Sequence, residues 1–273
     1  MAEFQIKDIR LGFSALQDRY NCDTVVQDTN DLMKIDILNI KFDDITLDEA
    51  VTHASGIVMS SDNKAYIVTP NPEIVWIARR DIAQRTAINN AELVLPDGIG
   101  IMLGAHILGT PLKCGRVPGI DFASALFEKI AHSGRSVFLL GAKPGIAEEA
   151  GQNLEKAYPG LKIAGVADGY FTDDEQVIAK INSLQPALLL VCLGSPKQEL
   201  WMAENLIRLN VKLCIGLGGS LDIYAGKVQR APLFIRKLGL EWLFRLMREP
   251  RRIKRMIKLP LFVFVVIWHR IRS

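Results

Sequence analysis

Histidine is scarce and scattered in this chain. The four of them, His53, His106, His132 and His269, show no H-x-x-x-H or H-x-x-E-H spacing, and no D-x-D occurs. The usual sequence signatures of a zinc site or a carboxylate-held divalent cation are therefore missing, and neither a metal nor a cofactor is expected. Cysteine is equally sparse. Cys22, Cys114, Cys192 and Cys214 form no C-x-x-C pair, and two of them sit in the apolar runs LLLVCLG and VKLCIGLGG, which reads as reduced core thiols in a cytosolic protein. The start, MAEFQIKDIRLGF, has neither a continuous apolar run nor a small-residue cleavage site, so no secretory signal is expected. G-x-G-x-x-G and the P-loop pattern are both absent.

What the 273 residues do contain is 49% hydrophobic and 23% charged side chains, the balance of a folded globular protein. The net charge of +3 hides an asymmetry. Lys227 to Ser273 carries 13 Lys and Arg against Glu241 and Glu249, a net +11, which leaves 20 Lys and Arg against 28 Asp and Glu, or −8, for the rest. An acidic body with a basic tail points to an anionic partner for the tail.

Residues 1–33 are polar and weakly patterned and read as an N-terminal extension. Order is expected from KIDILNIKF, which alternates like a strand and leads through Thr46-Leu-Asp-Glu49, a capping box, into a helix. Short apolar runs then alternate with helical patterns: AYIV, AELV, SVFLLG, LKIAGVA, ALLLVC and VKLCIG are each followed by a helix. Runs that are apolar throughout suit strands covered on both faces. The expected fold is α/β, a Rossmann-like doubly wound and mainly parallel sheet over residues 34–226, with a basic amphipathic C-terminal appendage over 227–273.

In such sheets ligands bind at the carboxyl ends of the strands. There stand Thr69-Pro-Asn71-Pro, a rigid turn whose Asn71 either caps a helix or faces a ligand. Pro96-Asp97-Gly98 holds a carboxylate placed for a helix cap or a general base. Gly141-Ala-Lys-Pro-Gly145 opens a helix and resembles a nucleotide-binding turn. Ser195 and Gln198 have capping-box spacing, though the Gln198 amide could equally meet a ligand.

Taken together, TPNPE, LPDGIGI, RVPGIDF, LLGAKPG, LGSPKQE, GLGGSLDIYAGKVQRAP and RKLGLEWLFRLMREPRR resemble the WecG/TagA/CpsF family of bacterial glycosyltransferases, in order from about Ile35 to about Arg255. The resemblance implies an inverting, metal-independent transfer of N-acetylmannosamine, or a related sugar, from a UDP donor to polyprenyl-diphosphate-linked N-acetylglucosamine, a step of teichoic acid or surface polysaccharide synthesis. UDP-glucose and UDP-N-acetylmannosaminuronate are the alternative donors. It further implies Asp97 as the base, Thr69, Asn71, Arg116 and Gln198 as pocket residues, and Arg245, Arg252 and Arg255 on the diphosphate. A dinucleotide-dependent oxidoreductase and a non-catalytic membrane or nucleic-acid adaptor are the rival readings; nucleic acid is not the expected partner.

The chain ends RRIKRMIKLPLFVFVVIWHRIRS. Arg245, Arg248, Arg252 and Arg255 share one helix face if Pro250 only kinks it. The uncharged run Leu259–Trp268 is too short to span a bilayer, which takes about 20 residues. It suits docking on a membrane surface, with Trp268 at the interface and Arg270 and Arg272 at headgroups. The alternative is a last core element. The expected location is the cytoplasmic face of the cell membrane, with self-association of the apolar tail.

Overall fold

In the computed structural model of the chain, residues 33–60, 64–250 and 253–272 are described, Lys254 and Arg255 by their backbone alone. The alternating stretch KIDILNIKF is a hairpin, not the single strand its pattern suggests: β1 (Lys34–Ile37) pairs antiparallel with β2 (Ile40–Asp43). Leu38 and Asn39 turn the chain at φ 55° and 68°, the positive values that a two-residue hairpin loop needs. Asp36 Oδ1 accepts the Asn39 N–H at 2.8 Å, and Leu38 is buried, which together hold that backbone. The capping box forms as expected: Thr46 and Glu49 bond reciprocally at the start of α1 (Leu47–Met59).

Six strands then form one wholly parallel sheet: β3 (Ala65–Val68), β4 (Leu93–Val94), β5 (Ser136–Gly141), β6 (Lys162–Ala167), β7 (Leu188–Cys192) and β8 (Leu213–Gly216), in the order β4-β3-β8-β7-β5-β6. The helices between them are α2 (Pro72–Ala78), α3 (Ile82–Asn89), α4 (Ile99–Leu108), α5 (Gly119–Ile130), α6 (Ile146–Ala157), α7 (Asp174–Leu184), α8 (Lys197–Asn205) and α9 (Ser220–Tyr224). Neither α3 nor α5 follows a strand directly, so strand–helix alternation does not reveal them.

Successive strand residues face opposite sides, and each side has its own core. Ile67, Leu93, Leu139, Leu190 and Ile215 pack with α1, α5, α6 and α9. Tyr66, Val68, Val94, Leu140, Val191 and Cys214 pack with the hairpin, α2, α4, α7 and α8. This is the doubly wound architecture that the apolar strands imply. Asp43, fully buried, joins the hairpin to the sheet: its carboxylate accepts the Val94 N–H at 2.7 Å and pairs with Lys34 at 2.9 Å. The edge strand β4 is thereby covered.

Two expectations are corrected. Cys192 and Cys214 are free and buried, but Cys114 is disulfide-bonded, not a reduced thiol; Cys22 lies outside the described residues. Pro250 ends a helix where a kink was expected, because proline restricts the residue before it and offers no N–H. The appendage consists of α10 (Leu233–Lys237), α11 (Glu241–Arg248), α12 (Ile253–Met256) and α13 (Lys258–Arg272), and Glu249 has left helical geometry at φ −130°, ψ 78°.

The last helix is two-sided. Phe262 and Val266 are fully buried against α2 and α4. Gly100 and Gly104, one turn apart on α4, make room for it: a Cβ on Gly104 would stand 3.0 Å from the Phe262 ring, and one on Gly100 would stand 2.9 Å from Leu259. Lys258 adds an ion pair to Glu73 of α2 at 3.0 Å. The opposite side exposes Leu261, Phe264, Ile267, Trp268 and Ile271. The core reading thus holds for one side of the helix, and the other side is apolar and exposed. Among the described residues no helix is long and apolar enough to cross a membrane.

Candidate active site

The carboxyl ends of β3, β4 and β8 meet through their backbones. Asp97 N–H donates to Pro70 C=O at 3.2 Å, and Val117 N–H donates to Pro96 C=O at 2.9 Å. The loops bearing Thr69, Asp97 and Arg116 therefore form one surface. Thr69 is buried at the end of β3 and donates its hydroxyl to Gly216 C=O at 3.1 Å. It also closes against α5, since a Cβ on Gly119 would meet its Oγ1 at 2.8 Å.

Asn71 caps α2, with Oδ1 accepting the Ile74 N–H at 3.1 Å, so its carbonyl is committed and its amide NH2 is the part left for a ligand. Gln198 does not act through a capping box. The helix cap is Pro196, and Gln198 is buried with Oε1 accepting the Gly218 N–H at 2.9 Å and Nε2 donating to Glu199 at 2.8 Å. Gln84 Nε2 in turn reaches Ser195 Oγ at 2.6 Å. This polar network fixes the Gly216–Gly218 turn beside Thr69.

Asp97 caps nothing: the N-cap of α4 is Gly98 at φ 93°, with no side-chain bond. Its carboxylate makes no hydrogen bond among the described residues and stays partly accessible. Burial pushes its pKa up to about 6; the Glu241 carboxylate adds to the rise, and Arg116 and Arg245 oppose it. A carboxylate with unsatisfied acceptors, strengthened as a base and facing guanidinium groups, is equipped to take a proton beside an anion.

Around it stands an ion network of which Arg116 and Arg245 alone were singled out from sequence. Asp121, buried on α5, accepts a two-pronged bond from Arg230 at 2.6 and 2.7 Å, and Arg236 approaches it to 3.8 Å. Arg230 Nε lies 3.5 Å from Glu241, which also meets Arg245 at 3.3 Å. Arg116 donates to the Arg236 carbonyl at 2.5 Å. Arg230 holds the Asp121 pKa below the usual carboxylate range against the effect of burial. One signal could have found this network: a lone Asp within GIDFASALF, a helix otherwise buried along most of its length, needs a cationic partner.

Of the arginines expected on the diphosphate, Arg245 joins this cluster. Arg252 and the Arg255 side chain lie outside the described residues. Arg248 turns aside to Gln229 at 3.0 Å and stacks on Phe244. Gly141 and Gly145 are not beside Asp97: β5 stands four strand positions from β4, or roughly 19 Å at about 4.8 Å per strand. Gly141 needs its lack of a side chain, because a Cβ there would sit 2.3 Å from the Cys192 carbonyl. Gly145 caps α6 without a side-chain bond, so its first N–H groups have no side-chain cap. Among the described residues no group of three or more His, Cys, Asp and Glu is arranged to hold a metal.

Residues 35–273 match the family described as the glycosyl transferase WecG/TagA/CpsF family. The chain belongs to that family. It is 34% identical over 233 residues, 85% of this chain and 90% of the relative, to the N-acetylglucosaminyldiphosphoundecaprenol N-acetyl-beta-D-mannosaminyltransferase of Bacillus spizizenii. A protein of the same name from Staphylococcus aureus is 35% identical over 243 residues, 88% of this chain and 95% of its own length. Membership makes the chain a glycosyltransferase and sets aside the oxidoreductase and adaptor readings.

Two stability predictions follow from the cluster. Because Asp97 keeps its proton to a higher pH when folded, the folded state binds more protons between about pH 4 and about pH 6. The stability tied to the neutral form is present below about pH 4 and lost as pH rises through about 6. Asp97→Asn, always neutral, is expected to gain on the wild type across that window in urea melts at stepped pH, whereas parallel curves would mean an unperturbed carboxyl. Arg230→Met strands Asp121 and is expected to cost about 3–5 kcal/mol, much of it recovered in Asp121→Leu/Arg230→Met; a double-variant loss equal to the sum of the Asp121→Leu and Arg230→Met losses would show that the pair is not coupled.

Proposed function

We propose that this transferase moves N-acetylmannosamine from UDP to N-acetylglucosamine carried on a polyprenyl diphosphate, in teichoic acid or related polysaccharide synthesis. The printed activity of the relatives supports the substrates. The observation that carries the chemistry is Asp97: an uncommitted carboxylate with a raised pKa, at a strand end, within electrostatic reach of Arg116 and Arg245. In a single displacement Asp97 takes the proton of the acceptor hydroxyl and the hydroxyl oxygen bonds to the sugar C1. As that bond forms, the C1–O bond to the diphosphate breaks and UDP leaves with the electron pair. Attack from the face opposite the leaving group inverts C1.

Arg245, with Arg252 and Arg255 in the family reading, takes the charge of the diphosphate, a task suited to a planar guanidinium fork. No divalent cation enters this reading. Thr69, Asn71 and Arg116 shape the sugar pocket directly and Gln198 does so through the Gly218 turn. The uncapped N–H groups at Gly145, with the Gly141 turn, suit the nucleotide end of an elongated donor lying along the sheet edge.

The exposed side of α13 supports docking of the enzyme on the membrane that holds its acceptor. Leu261, Phe264, Trp268 and Ile271 recur at three- and four-residue steps, with Arg270 and Arg272 at the helix end. Each basic residue near an anionic surface contributes about 1 kcal/mol.

UDP release from UDP-N-acetylmannosamine, in EDTA and dependent on a lipid-diphosphate-N-acetylglucosamine acceptor, is expected for the wild type. Asp97→Asn should lower kcat at least about 100-fold. The wild-type kcat/KM should rise with pH through a limb near 6. That limb should move upward in kcat, because bound diphosphate neutralises the arginines that hold the Asp97 pKa down. Inertness with this donor, UDP-glucose and the mannosaminuronate donor alike would overturn the reading; loss of activity in EDTA alone would overturn its metal independence. For docking, Phe264→Asp/Trp268→Asp should abolish sedimentation with anionic liposomes while leaving the urea melt unchanged. These exposed positions are better probes than truncation, which would also strip Phe262 and Val266 from the core. Undiminished sedimentation would assign membrane contact elsewhere.

A further inference from the structure

An apolar groove lies beside the arginine cluster with no assigned occupant. Trp242 and Leu246 of α11, Met256 of α12, Ile257, and Leu259 and Val263 of α13 line an open groove of about 520 Å³, and among the described residues no charged side chain lines it. That volume falls within the roughly 300–1,000 Å³ of ligand sites. None of its lining residues belongs to the Asp97–Asp121–Glu241 cluster, so it is a separate site joined to the first by α11.

This short helix has two working faces. Glu241 and Arg245, one turn apart, meet each other and act on Asp97. Trp242 and Leu246, also one turn apart on the neighbouring face, wall the groove. A ligand held by both would have an anionic group beside Arg245 and an apolar portion about one helical turn, ~5 Å, away. On α13 the groove is not closed off. Pro260 and Val263 line it, and Ile267 and Ile271 continue the same stripe at four-residue steps. Ile267 and Ile271 are exposed. The groove thus opens onto the apolar side of the helix.

We infer that this groove holds the first isoprene units of the acceptor, with the adjoining diphosphate at Arg245 and the remaining chain led along the α13 stripe toward the bilayer. The inference rests on the acceptor proposed above, whose chemistry is that of an anion bonded directly to a long apolar chain. A bilayer acyl chain would match the groove but bring no diphosphate to the guanidinium one turn away. A second copy of this chain would bury the exit.

The test compares KM for two acceptors in one detergent, one with the undecaprenyl chain and one with a single prenyl unit. Leu246→Gln makes the wall polar, and Ile257→Trp fills the groove from a half-exposed position without removing a core contact. Both variants are expected to raise KM for the long-chain acceptor about tenfold, about 1.4 kcal/mol of lost binding, with kcat and the short-chain KM unchanged. Equal KM changes for the two acceptors, or none, would overturn the inference while leaving the transferase standing. So would loss of liposome sedimentation, which would make the groove a bilayer contact, or a changed mass by light scattering, which would make it an interface between copies. A wild type inert with both acceptors would overturn the transferase reading and this inference with it.

Discussion

The buried pair of Asp121 and Arg230 is the contact on which the active-site region depends. Neither ion could stay charged alone where it sits, since an unpaired buried charge costs several kcal/mol. Paired through two bonds of 2.6 and 2.7 Å, they fasten the start of the appendage to α5. Everything the appendage contributes follows from that attachment. Arg230 reaches on to Glu241, Glu241 holds Arg245, and Arg245 and Glu241 both act on Asp97. Seen from the sheet, the same α5 packs Gly119 against Thr69. One ion pair thus sets the distance between the polar loops at the strand ends and the helices that cover them.

The fold was legible because its signals are local. Apolar strands, glycine-bearing turns and a capping box report on residues a few positions apart, and the parallel sheet, its strands and most helices follow from them. The hairpin was misread for a physical reason. Its turn residues, Leu38 and Asn39, carry no Gly, and a buried Leu at positive φ is held by burial that no local pattern shows. At the site, Thr69 and Asp97 stood out because strand ends are where such sheets bind ligands. Asp121, Arg230 and Glu241 did not, because the Asp121–Arg230 partners are 109 positions apart and Arg230 and Glu241 lie on either side of α10. In sequence they look like ordinary surface charges. Only the apolar setting of Asp121 marks it as buried.

The tail shows the same limit from the other side. An uncharged run of ten residues reads equally as a core helix or a membrane-facing one, because composition does not say which faces are covered. The decision lies in α4, some 155 residues earlier, where Gly100 and Gly104 leave a groove on one helix face that Leu259 and Phe262 enter. Small residues one turn apart admit a close helix approach, and what they admit is half of α13. Among the described residues nothing covers its other half.

The charge asymmetry of the sequence divides by burial in a comparable way. Of the 13 basic residues after position 226, Arg230 and Arg236 are buried and set against Asp121, with Arg230 also near Glu241. Their charge is spent inside the protein and serves attachment. Arg245 is intermediate: it shares Glu241 but keeps part of its surface in solvent, open to an arriving anion. Arg270 and Arg272 are exposed beyond the last buried turn, where Arg272 stacks on Trp268 at 4.3 Å. Attachment, substrate and surface thus draw on successive parts of one basic tail, in chain order from the core outward. An anion arriving at the site meets less positive charge than the sequence count suggests, and the exposed arginines of α13 keep charge that the cluster has not used.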